Sequence, residues 1–395
     1  WGTDNPGNNY YYSFIEATMT WALASDDPHW LQLLREDKLP AVAAYFGQLG
    51  DGGSREGTGY GVAQSRMFAL FSLWQANTGS NLADANAHVA NSIAYWAHAT
   101  MPTLDQYAPI GDQSRVSQPL LHDYHRGLVL QARAATAHAD ARSLASWWLN
   151  HITPRSMQNG FSLRTGLLPI GKDGRPPVAT SYHARGVGHW FARSGWDHDA
   201  MWLGVVAGPY EESHAHQDQG AFTLFAHDWL AVSENIWTHS GIQQATDMHN
   251  MLRFERAGGL IPQRSNTRSS LAVEPATADG TVHARADLTA AYLGDPGIQR
   301  WQREFTFGQR RLLVHDRFKL AKDVAAVFQI TVPGKPQIAG NEIIAGRLRA
   351  RVLMPLDAHI VAVDFSQRDA AEFSSGWRVD ISGSGDEFQV ELAER

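Results

Sequence analysis

The sequence predicts an α+β protein in which helices, arranged as part of an (α/α) toroid, are followed by an antiparallel β-sandwich. Apolar residues recur with a helical period up to about residue 150, and they alternate with polar residues after about residue 179. The stretch between these two regions is rich in Pro and Gly, which is typical of a linker. We therefore expect a helical domain over 1–150, a linker over 151–178 and a sandwich over 179–395.

The helical period is clearest in the run QSRMFALFSLWQANTG. Met67, Leu70, Phe71 and Trp74 fall at positions i, i+3, i+4 and i+7, which form one face of a helix. Gly79 follows this run and suits the C-cap of the helix. The run HVANSIAYWAHATMP repeats the pattern, and helices that follow one another without strands indicate an array of α/α hairpins.

The second half of the sequence shows the period of a β-sheet. In RLRARVLMP, Leu348, Ala350, Val352 and Met354 alternate with arginines, as expected for a strand with one buried and one solvated face. Many such segments follow one another without helices between them. That arrangement predicts an antiparallel sandwich.

The composition excludes several classes of protein. A chain of 395 residues with 44% hydrophobic and 18% charged residues is long enough for two folded domains. Its net charge of −7 and pI near 6.2 argue against a nucleic-acid partner. No apolar run is long enough to span a bilayer, so no membrane partner is expected. Without cysteine there are neither disulfides nor thiolate metal sites.

The stretch ESHAHQDQGAF places His214 and His216 two residues apart, with Asp218 following. In a strand the two imidazoles would share one face, either as polar residues of a wet sheet or as part of a site. Glu234 lies at the end of the next predicted strand, and His249 begins HNML. A hairpin would bring His216, Glu234 and His249 together, and two imidazoles with one carboxylate suit Zn²⁺.

A second candidate lies in the run DGGSREGTGYGVAQSRMF. Tyr60 stands among glycines just before a predicted helix, and Arg55, Glu56 and Arg66 flank it. One interpretation is a packing tyrosine in a loop that leads into a helix. The other is a phenol at the mouth of a pocket. Because a free tyrosine titrates near pH ~10, nearby cations would help it to act as a base.

The opening run NPGNNYYYSF offers Asn8 and Asn9 just before a predicted helix. Either residue can cap the helix, and an amide in a pocket can instead bind a substrate carboxylate. Arg193, Arg126, His125 and His189 are candidate anion contacts, although a solvated or core-lining role is favoured for each of them taken singly.

Together these residues resemble the heparinase II/III-like polysaccharide lyases, a superfamily that includes heparin, heparan and alginate lyases. The resemblance covers most of the chain. Its motifs are, in order, the Asn-rich helix start, EGTGYG, ARSGWDHDAMWL, HAHQDQGAFTLFAHDWLAV and HNML. The HAH-x-D-x-G-x-F segment followed by HN is the most specific of them. The resemblance implies an incomplete toroid followed by antiparallel β-sandwich layers. The chain then holds the C-terminal part of the toroid, consistent with its start at Trp1.

The resemblance also implies roles for individual residues. Tyr60 matches the family's catalytic acid, which often serves as base as well. Asn8 or Asn9 matches the residue that grips the uronate carboxylate, and Tyr10 stands where several relatives carry a histidine. The first histidine of HAH, His214, is expected to reach the substrate.

The same resemblance implies a structural metal, for which zinc is the expected ion, and no organic cofactor. The expected ligands are His216, Glu234 and His249, with Glu234 in place of the family's usual aspartate. The further residues expected to contact the substrate are Arg55, Glu56, Tyr10, His125, Arg126, Arg193 and Arg253.

The expected function is therefore cleavage of a uronic acid-containing polysaccharide by β-elimination, in a periplasmic or secreted bacterial-type protein. Because the chain is net acidic, alginate or another uronan is the first expectation and a glycosaminoglycan the second. Two alternatives stay open. A glycoside hydrolase on an α/α toroid would need a carboxyl pair. Glu56 and Asp112 can be proposed for it, but no convincing pair stands out in the sequence. A non-catalytic uronan-binding protein would not need Tyr60. The sequence leaves the oligomeric state open.

Overall fold

The computed structural model divides into two compact units, one of helices and one of antiparallel sheets. The residues that it describes are 4–113, 118–157, 166–172 and 174–395. Within them, the helical unit is formed by the residues up to 100, by 104–107 and by 120–178, and the sheet unit by 101–103, 108–119 and 179–395. The segment that carries Asp112 therefore belongs to the sheet unit, although it lies between helices in the sequence.

The helical unit follows the predicted periodicity. Its helices are α1 Asn9–Ser25, α2 Pro28–Leu33, α3 Leu39–Gln48, α4 Ser65–Thr78, α5 His88–Ala99, α6 Asp123–Ala135 and α7 Ala139–His151. The predicted apolar face of α4 is buried, and Gly79 ends that helix in the left-handed conformation expected of a C-cap. None of the helices described for this chain is long and apolar enough to cross a membrane.

The predicted linker, 151–178, lies along the helical unit where it is described. Arg133 of α6 donates to the carbonyl of Pro169 at 2.6 Å. Ser146 of α7 donates to the carbonyl of Ile170 at 2.6 Å. These side chains fasten the segment to two helices. Residues 158–165 and 173 of the predicted linker lie outside the described residues.

The sheet unit is built from antiparallel strands, some paired with their neighbours in the chain and others through crossovers. They are β1 Ser181–Ala184, β2 His189–Arg193, β3 Trp202–Val206, β4 Pro209–Tyr210, β5 Phe222–Ala226, β6 Asp228–Ala231, β7 Leu252–Arg256, β8 Gly259–Ile261, β9 Thr267–Arg268, β10 Ser270–Val273, β11 Val282–Asp287, β12 Ile298–Gly308, β13 Arg311–Leu320, β14 Val324–Val332, β15 Gln337–Ala339, β16 Glu342–Ala345, β17 Leu348–Met354, β18 His359–Asp364, β19 Trp377–Ser382 and β20 Glu387–Glu394. A short helix, α8 Phe365–Arg368, connects β18 to β19.

Three larger sheets and one two-stranded ribbon are formed by the described strands, and the pairings within them are antiparallel. The first sheet has the order β1-β2-β3-β5-β6, the second β10-β11-β12-β13-β20-β17-β16-β15 and the third β18-β19-β14-β7-β8, while β4 pairs with β9. Strand β17 shows the predicted alternation, because Leu348, Ala350 and Val352 are buried while Arg349 is exposed. Apolar residues of all three larger sheets form one continuous core.

An ion pair lies fully buried in this core. Arg303 of β12 and Asp316 of β13 form a bidentate pair, with N–O distances of 2.8 and 2.7 Å. Trp301 Nε1 donates to the same carboxylate at 2.7 Å. The remaining guanidinium nitrogen, Nη1, donates to the carbonyl of Gly220 at 2.6 Å. The pair thus fixes a loop end as well as two strands.

We predict that Asp316→Asn destabilises the sheet unit by about 3 kcal/mol, because it leaves the Arg303 charge buried without a counter-ion. The control is Glu304→Gln on β12, which loses partly exposed ion pairs to Arg285 and Arg317 and should cost under about 1 kcal/mol. Urea unfolding followed by tryptophan fluorescence measures both variants. Equal losses in the two variants would show that the buried pair has no special role.

Candidate active site and metal centre

Tyr60 lies on a glycine-rich turn that is fitted closely into the helical unit. It begins a short 3-10 helix, Tyr60–Gln64, which lies beside α1, α4 and α6. Gly52 and Gly53 lead into the turn with φ of 77° and 83°. A Cβ at Gly52 would lie 2.7 Å from the Asn91 backbone, so only glycine fits there. Residues 56–59 are buried, whereas Tyr60 is partly exposed.

Two buried polar residues hold this turn in place. Gln64 Nε2 donates to the carbonyl of Gly53 at 3.0 Å. Its Oε1 lies 3.2 Å from His88 Nε2, and His88 Nδ1 lies 2.8 Å from the carbonyl oxygen of Leu49. Burial lowers the pKa of His88 to about 4, so the ring is neutral. The turn of Tyr60 is therefore anchored to α5 and to the end of α3.

The Asn-rich start of α1 gives its two asparagines different positions. Asn8 is the N-cap, and its side-chain oxygen accepts from the Tyr10 N–H at 2.9 Å. Asn9 is the first residue of the helix and is half-buried, and Tyr10 is exposed. Capping uses the Asn8 amide oxygen and leaves its amide nitrogen for another contact.

Two of the predicted substrate contacts in the helical unit are buried. Glu56 is only 3% exposed. His125 is fully buried, and its Nδ1 accepts from the His122 N–H at 3.0 Å. Burial, and the neighbouring His122, lower the pKa of His125 well below its ordinary value. His125 is thus a neutral core residue at the start of α6 and not the predicted anion contact, because the first turn of the helix and the surrounding aromatic rings enclose it.

The two predicted arginines of the helical unit are more accessible. Arg55 is half-buried, contacts Gln48 Oε1 at 3.3 Å and lies over the ring of Tyr45. Arg126 on α6 is half-buried too, and its guanidinium has no hydrogen bond or ion pair with the residues that the structure describes. Of the two, only Arg55 has polar or aromatic partners among the described residues.

The HAH motif lies in a loop and not in the predicted strand. Strand β5 begins only at Phe222, and the preceding residues form turns, with the Ala215 N–H donating to the Glu212 carbonyl. Both histidines nevertheless face one group, the carboxylate of Asp112. His214 Nδ1 lies 2.9 Å from Asp112 Oδ2, and His216 Nε2 lies 2.9 Å from Oδ1.

Further contacts fix Asp112 in the sheet unit. Its own N–H donates to the His214 carbonyl at 2.9 Å. Gln244 Nε2 donates to both carboxylate oxygens at 3.2 Å. Burial raises the pKa of Asp112, but the hydrogen bonds from His214, His216 and Gln244 outweigh it and bring the pKa to about 2. The carboxylate is therefore ionised at neutral pH.

A candidate metal centre lies next to this carboxylate. His216, Asp218 and His249 are buried, and one potential ligand atom from each lies within 4.8 Å of the others. Burial raises the pKa of Asp218 to about 6, against the opposing effect of His216. Burial and the nearby His216 lower the pKa of His249 well below its ordinary value. A neutral imidazole is the form that binds a metal.

The surroundings of these three residues are suited to a metal ion. His249 Nε2 is buried and has no hydrogen-bond partner among the described residues. Its Nδ1 lies 3.1 Å from Ser233 Oγ, which orients the ring. A cavity of about 20 Å³ is lined in part by Asp218, Ser233, His249 and Asn250, which is room for one water molecule or ion.

The carboxylate of this cluster belongs to Asp218 and not to Glu234, which corrects the predicted ligand set. Ser233 faces His249, so Glu234, the next residue, points elsewhere. Its carboxylate lies against Gly376, where an added Cβ would be 2.0 Å from Oε2. Burial raises the pKa of Glu234 well above its ordinary value, and Arg378 opposes this.

The predicted substrate contacts of the sheet unit are also buried. Arg253 pairs with Asp380 through two 2.8 Å bonds and with Glu255 at 2.6 Å, so its guanidinium serves the sheet and not the predicted ligand. Arg193 is 4% exposed, lies 3.7 Å over the ring of Trp196, and has its pKa lowered to about 9 by burial.

Sequence reasoning missed the role of Asp112, and it passed over Asp218 although HAHQD shows it two residues after His216. The distance of Asp112 from the HAH motif, 102 residues from His214, gave no local signal. Asn250 is buried and joins β5 to β14, since its amide donates to the Phe222 carbonyl and accepts from Thr331. The HN pair thus combines a candidate ligand with a structural clamp.

No protein-family model matches this sequence, and no curated protein matches it. Solved structures do. The match to a heparinase III structure covers 98% of this chain and 60% of the heparinase chain, with a TM-score of 0.69 and 11% identity. The match to the heparan sulfate lyase HepC from Pedobacter heparinus covers 84% of this chain and 51% of the HepC chain, with a TM-score of 0.60 and 16% identity. The match to the chondroitin AC lyase from Streptomyces coelicolor A3, in complex with chondroitin sulphate, covers 100% of this chain and 61% of the lyase chain. Its TM-score is 0.62 and the identity is 12%.

The chain spans between 51% and 61% of the length of these solved chains. At such identities the likeness concerns the fold. It confirms the resemblance to the heparinase type of protein at that level, as helices combined with antiparallel sheets, while the incomplete toroid stays a prediction. The chain has the fold of the solved heparinase III and chondroitin AC lyase structures.

Proposed function

We propose that this chain is a polysaccharide lyase that cleaves a uronic acid-containing polysaccharide by β-elimination. The observation that carries the proposal is the Tyr60 turn, in which buried neighbours and a buried Gln64–His88 anchor hold one partly exposed phenol. A rigid support of this kind suits a proton-transferring group, because catalysis depends on a fixed position. The fold shared with solved polysaccharide lyases supports the same proposal.

The chemistry requires few groups. Hydrogen bonds to the uronate carboxylate stabilise the negative charge that develops when the C5 proton leaves. A base takes that proton, and an acid protonates O4 as the glycosidic bond breaks. The C4–O4 electron pair leaves with the departing sugar, and a C4–C5 double bond remains. We assign the role of the acid to Tyr60. Where the C5 proton and O4 lie on the same side of the sugar ring, we assign the role of the base to Tyr60 as well.

The carboxylate contacts are assigned to Asn9, to the free amide nitrogen of Asn8, and to His214. Asn9 and Asn8 stand at the start of α1, which lies beside the Tyr60 turn in the helical unit. His214 is held by Asp112 within the sheet unit. Arg126 is a further candidate contact for an acidic sugar.

An acidic polysaccharide is the substrate class that we propose. The similar structures are named as lyases of heparan sulfate and chondroitin, which supports a polymer of uronic acid. Within this class we place alginate or another uronan first and a glycosaminoglycan second. The net charge of −7 and the internal pairing of Arg253 with Asp380 speak against a site dense in free cations for sulfate groups.

The two alternatives have less support. A glycoside hydrolase needs two carboxyl groups that flank the scissile bond. Of its candidates, Glu56 is buried and Asp112 is bound by two histidines and Gln244. A non-catalytic binding protein would give no reason for the anchored Tyr60 turn.

We propose zinc as the ion for His216, Asp218 and His249, because two imidazoles and one carboxylate form a common zinc ligand set. The ion would supply structural support by joining the HAH loop to the HN segment. The elimination itself would be carried out by side chains of the chain.

We predict that the protein releases products with a conjugated double bond, which absorb ultraviolet light, from at least one polymer in a panel of alginates, other uronans, heparan sulfate and chondroitin sulfate. Absorbance and product size are followed over time. Unchanged polymer length in every case after prolonged incubation would favour the binding protein.

Tyr60→Phe should lower turnover by about 10²–10⁴-fold, because it removes the proton-transferring hydroxyl and keeps the ring. The matched control is Tyr11→Phe, which removes a buried hydroxyl that donates to the Lys38 carbonyl in the same unit. The control should lower thermal stability and keep turnover. If Tyr60→Phe keeps most of the activity, another residue transfers the proton.

Asp218→Asn should weaken zinc binding by at least about 10-fold and lower the melting temperature of the zinc-loaded protein, since it removes a ligand of the cluster. Glu234→Gln should bind zinc as the wild type does, because Glu234 faces Gly376. Elemental analysis and calorimetric titration of protein purified without chelator measure both. The reverse pattern would restore Glu234 as the ligand.

A further inference from the structure

We propose that Asp112 is a positioning residue that holds His214 and His216 in opposite tautomers, so that each ring presents a different nitrogen. The two carboxylate oxygens of Asp112 are divided between the two rings. Oδ2 lies 2.9 Å from Nδ1 of His214, and Oδ1 lies 2.9 Å from Nε2 of His216.

An ionised carboxylate only accepts hydrogen bonds, so each ring must donate from the nitrogen that faces it. His214 then carries its proton on Nδ1, and His216 carries its proton on Nε2. In the neutral rings, Nε2 of His214 and Nδ1 of His216 are the unprotonated nitrogens. Two histidines of one short loop are therefore set in opposite senses by a single side chain.

The surroundings of Asp112 keep it in this position. Gln244 Nε2 donates to both oxygens at 3.2 Å and also to the Ser213 carbonyl at 3.1 Å. The Asp112 N–H donates to the His214 carbonyl, and the Gln217 N–H donates to the Gln244 carbonyl at 2.9 Å. The carboxylate is thus connected to the loop before and after His216 and cannot turn without breaking several hydrogen bonds.

The two tautomers suit the two proposed roles, which are metal binding by His216 and substrate contact by His214. His216 belongs to the candidate metal cluster with Asp218 and His249, and a carboxylate on the far nitrogen of a metal-binding histidine orients the ring and raises its basicity. His214 is the more accessible ring, with 24% of its side chain exposed. This step rests on the proposed lyase function, under which Nε2 of His214 would contact the sugar.

Asp112→Asn tests this idea because it keeps the shape and changes one acceptor into a donor. The amide oxygen still accepts from one ring, but the amide nitrogen faces the other ring, which must then accept. One of the two histidines should change its tautomer. A second variant, Asp112→Ala, removes both contacts and should release both rings from their fixed tautomers.

The measurement is the ¹⁵N chemical shifts and long-range ¹H–¹⁵N couplings of histidine rings in labelled protein, with and without zinc. His214→Gln and His216→Gln assign the two rings. In the wild type we expect the Nδ1–H form for His214 and the Nε2–H form for His216. The control is Asp380→Asn, which removes a half-buried carboxylate that pairs with Arg253 and Arg378. It should lower stability and leave both tautomers unchanged.

Two further readouts follow from the same variant. Asp112→Asn should weaken zinc binding by about 10–100-fold through His216, which is typical of losing an outer-shell partner. On a uronan that the wild type cleaves, it should lower kcat more than it raises KM, because substrate contacts remain while the ring is misoriented.

The outcomes separate this inference from the proposed function. Without lyase activity in the wild type the proposed function fails, while the tautomers and zinc affinity still test Asp112. If the wild-type rings share one tautomer, or if Asp112→Asn leaves both tautomers unchanged, the inference is overturned even in an active enzyme.

Discussion

The buried pair of Arg303 and Asp316 is the interaction on which the sheet unit depends. It joins two central strands of the largest sheet, and its cost of desolvation is offset by a bidentate geometry and a third hydrogen bond from Trp301. Arg303 Nη1, which does not contact Asp316, donates to the carbonyl of Gly220, where the HAH loop enters β5. The same nitrogen donates to the carbonyl of Asn250, next to His249. The core thereby fixes both segments that carry the candidate metal ligands.

Within the sheet unit that this core supports, the Asp112 carboxylate connects His214 to His216. A strand would have placed the two histidines of HAH on one face with one role. The loop lets both rings reach one carboxylate from different nitrogens, which allows His216 to join Asp218 and His249 while His214 stays accessible. The proposed division of roles between the two histidines therefore follows from the conformation of the loop.

Much of the fold was predictable, because periodicity reports which face is buried. The α4 face and the alternation in β17 followed directly. The Tyr60 turn was predictable from its glycines, of which Gly52 lies against the Asn91 backbone and Gly53 against the Tyr95 ring. Long-range partners were not. Asp112 lies far from the HAH motif in sequence, and only the fold shows that the Arg253 guanidinium pairs with Asp380 and that His125 is buried. The Glu234 error arose because the side-chain direction after β6 depends on a 3-10 turn that spacing does not reveal.

We propose that the chain breaks a uronan by elimination, a reaction in which no water enters the product. Its most direct test is mass spectrometry of the oligosaccharides formed in heavy-oxygen water from a polymer that the protein shortens. We expect a new non-reducing end that is lighter than a hydrolysis product by one water molecule, with no heavy oxygen incorporated during cleavage. Saturated products that carry solvent oxygen at the new anomeric carbon would contradict it and would identify a hydrolase.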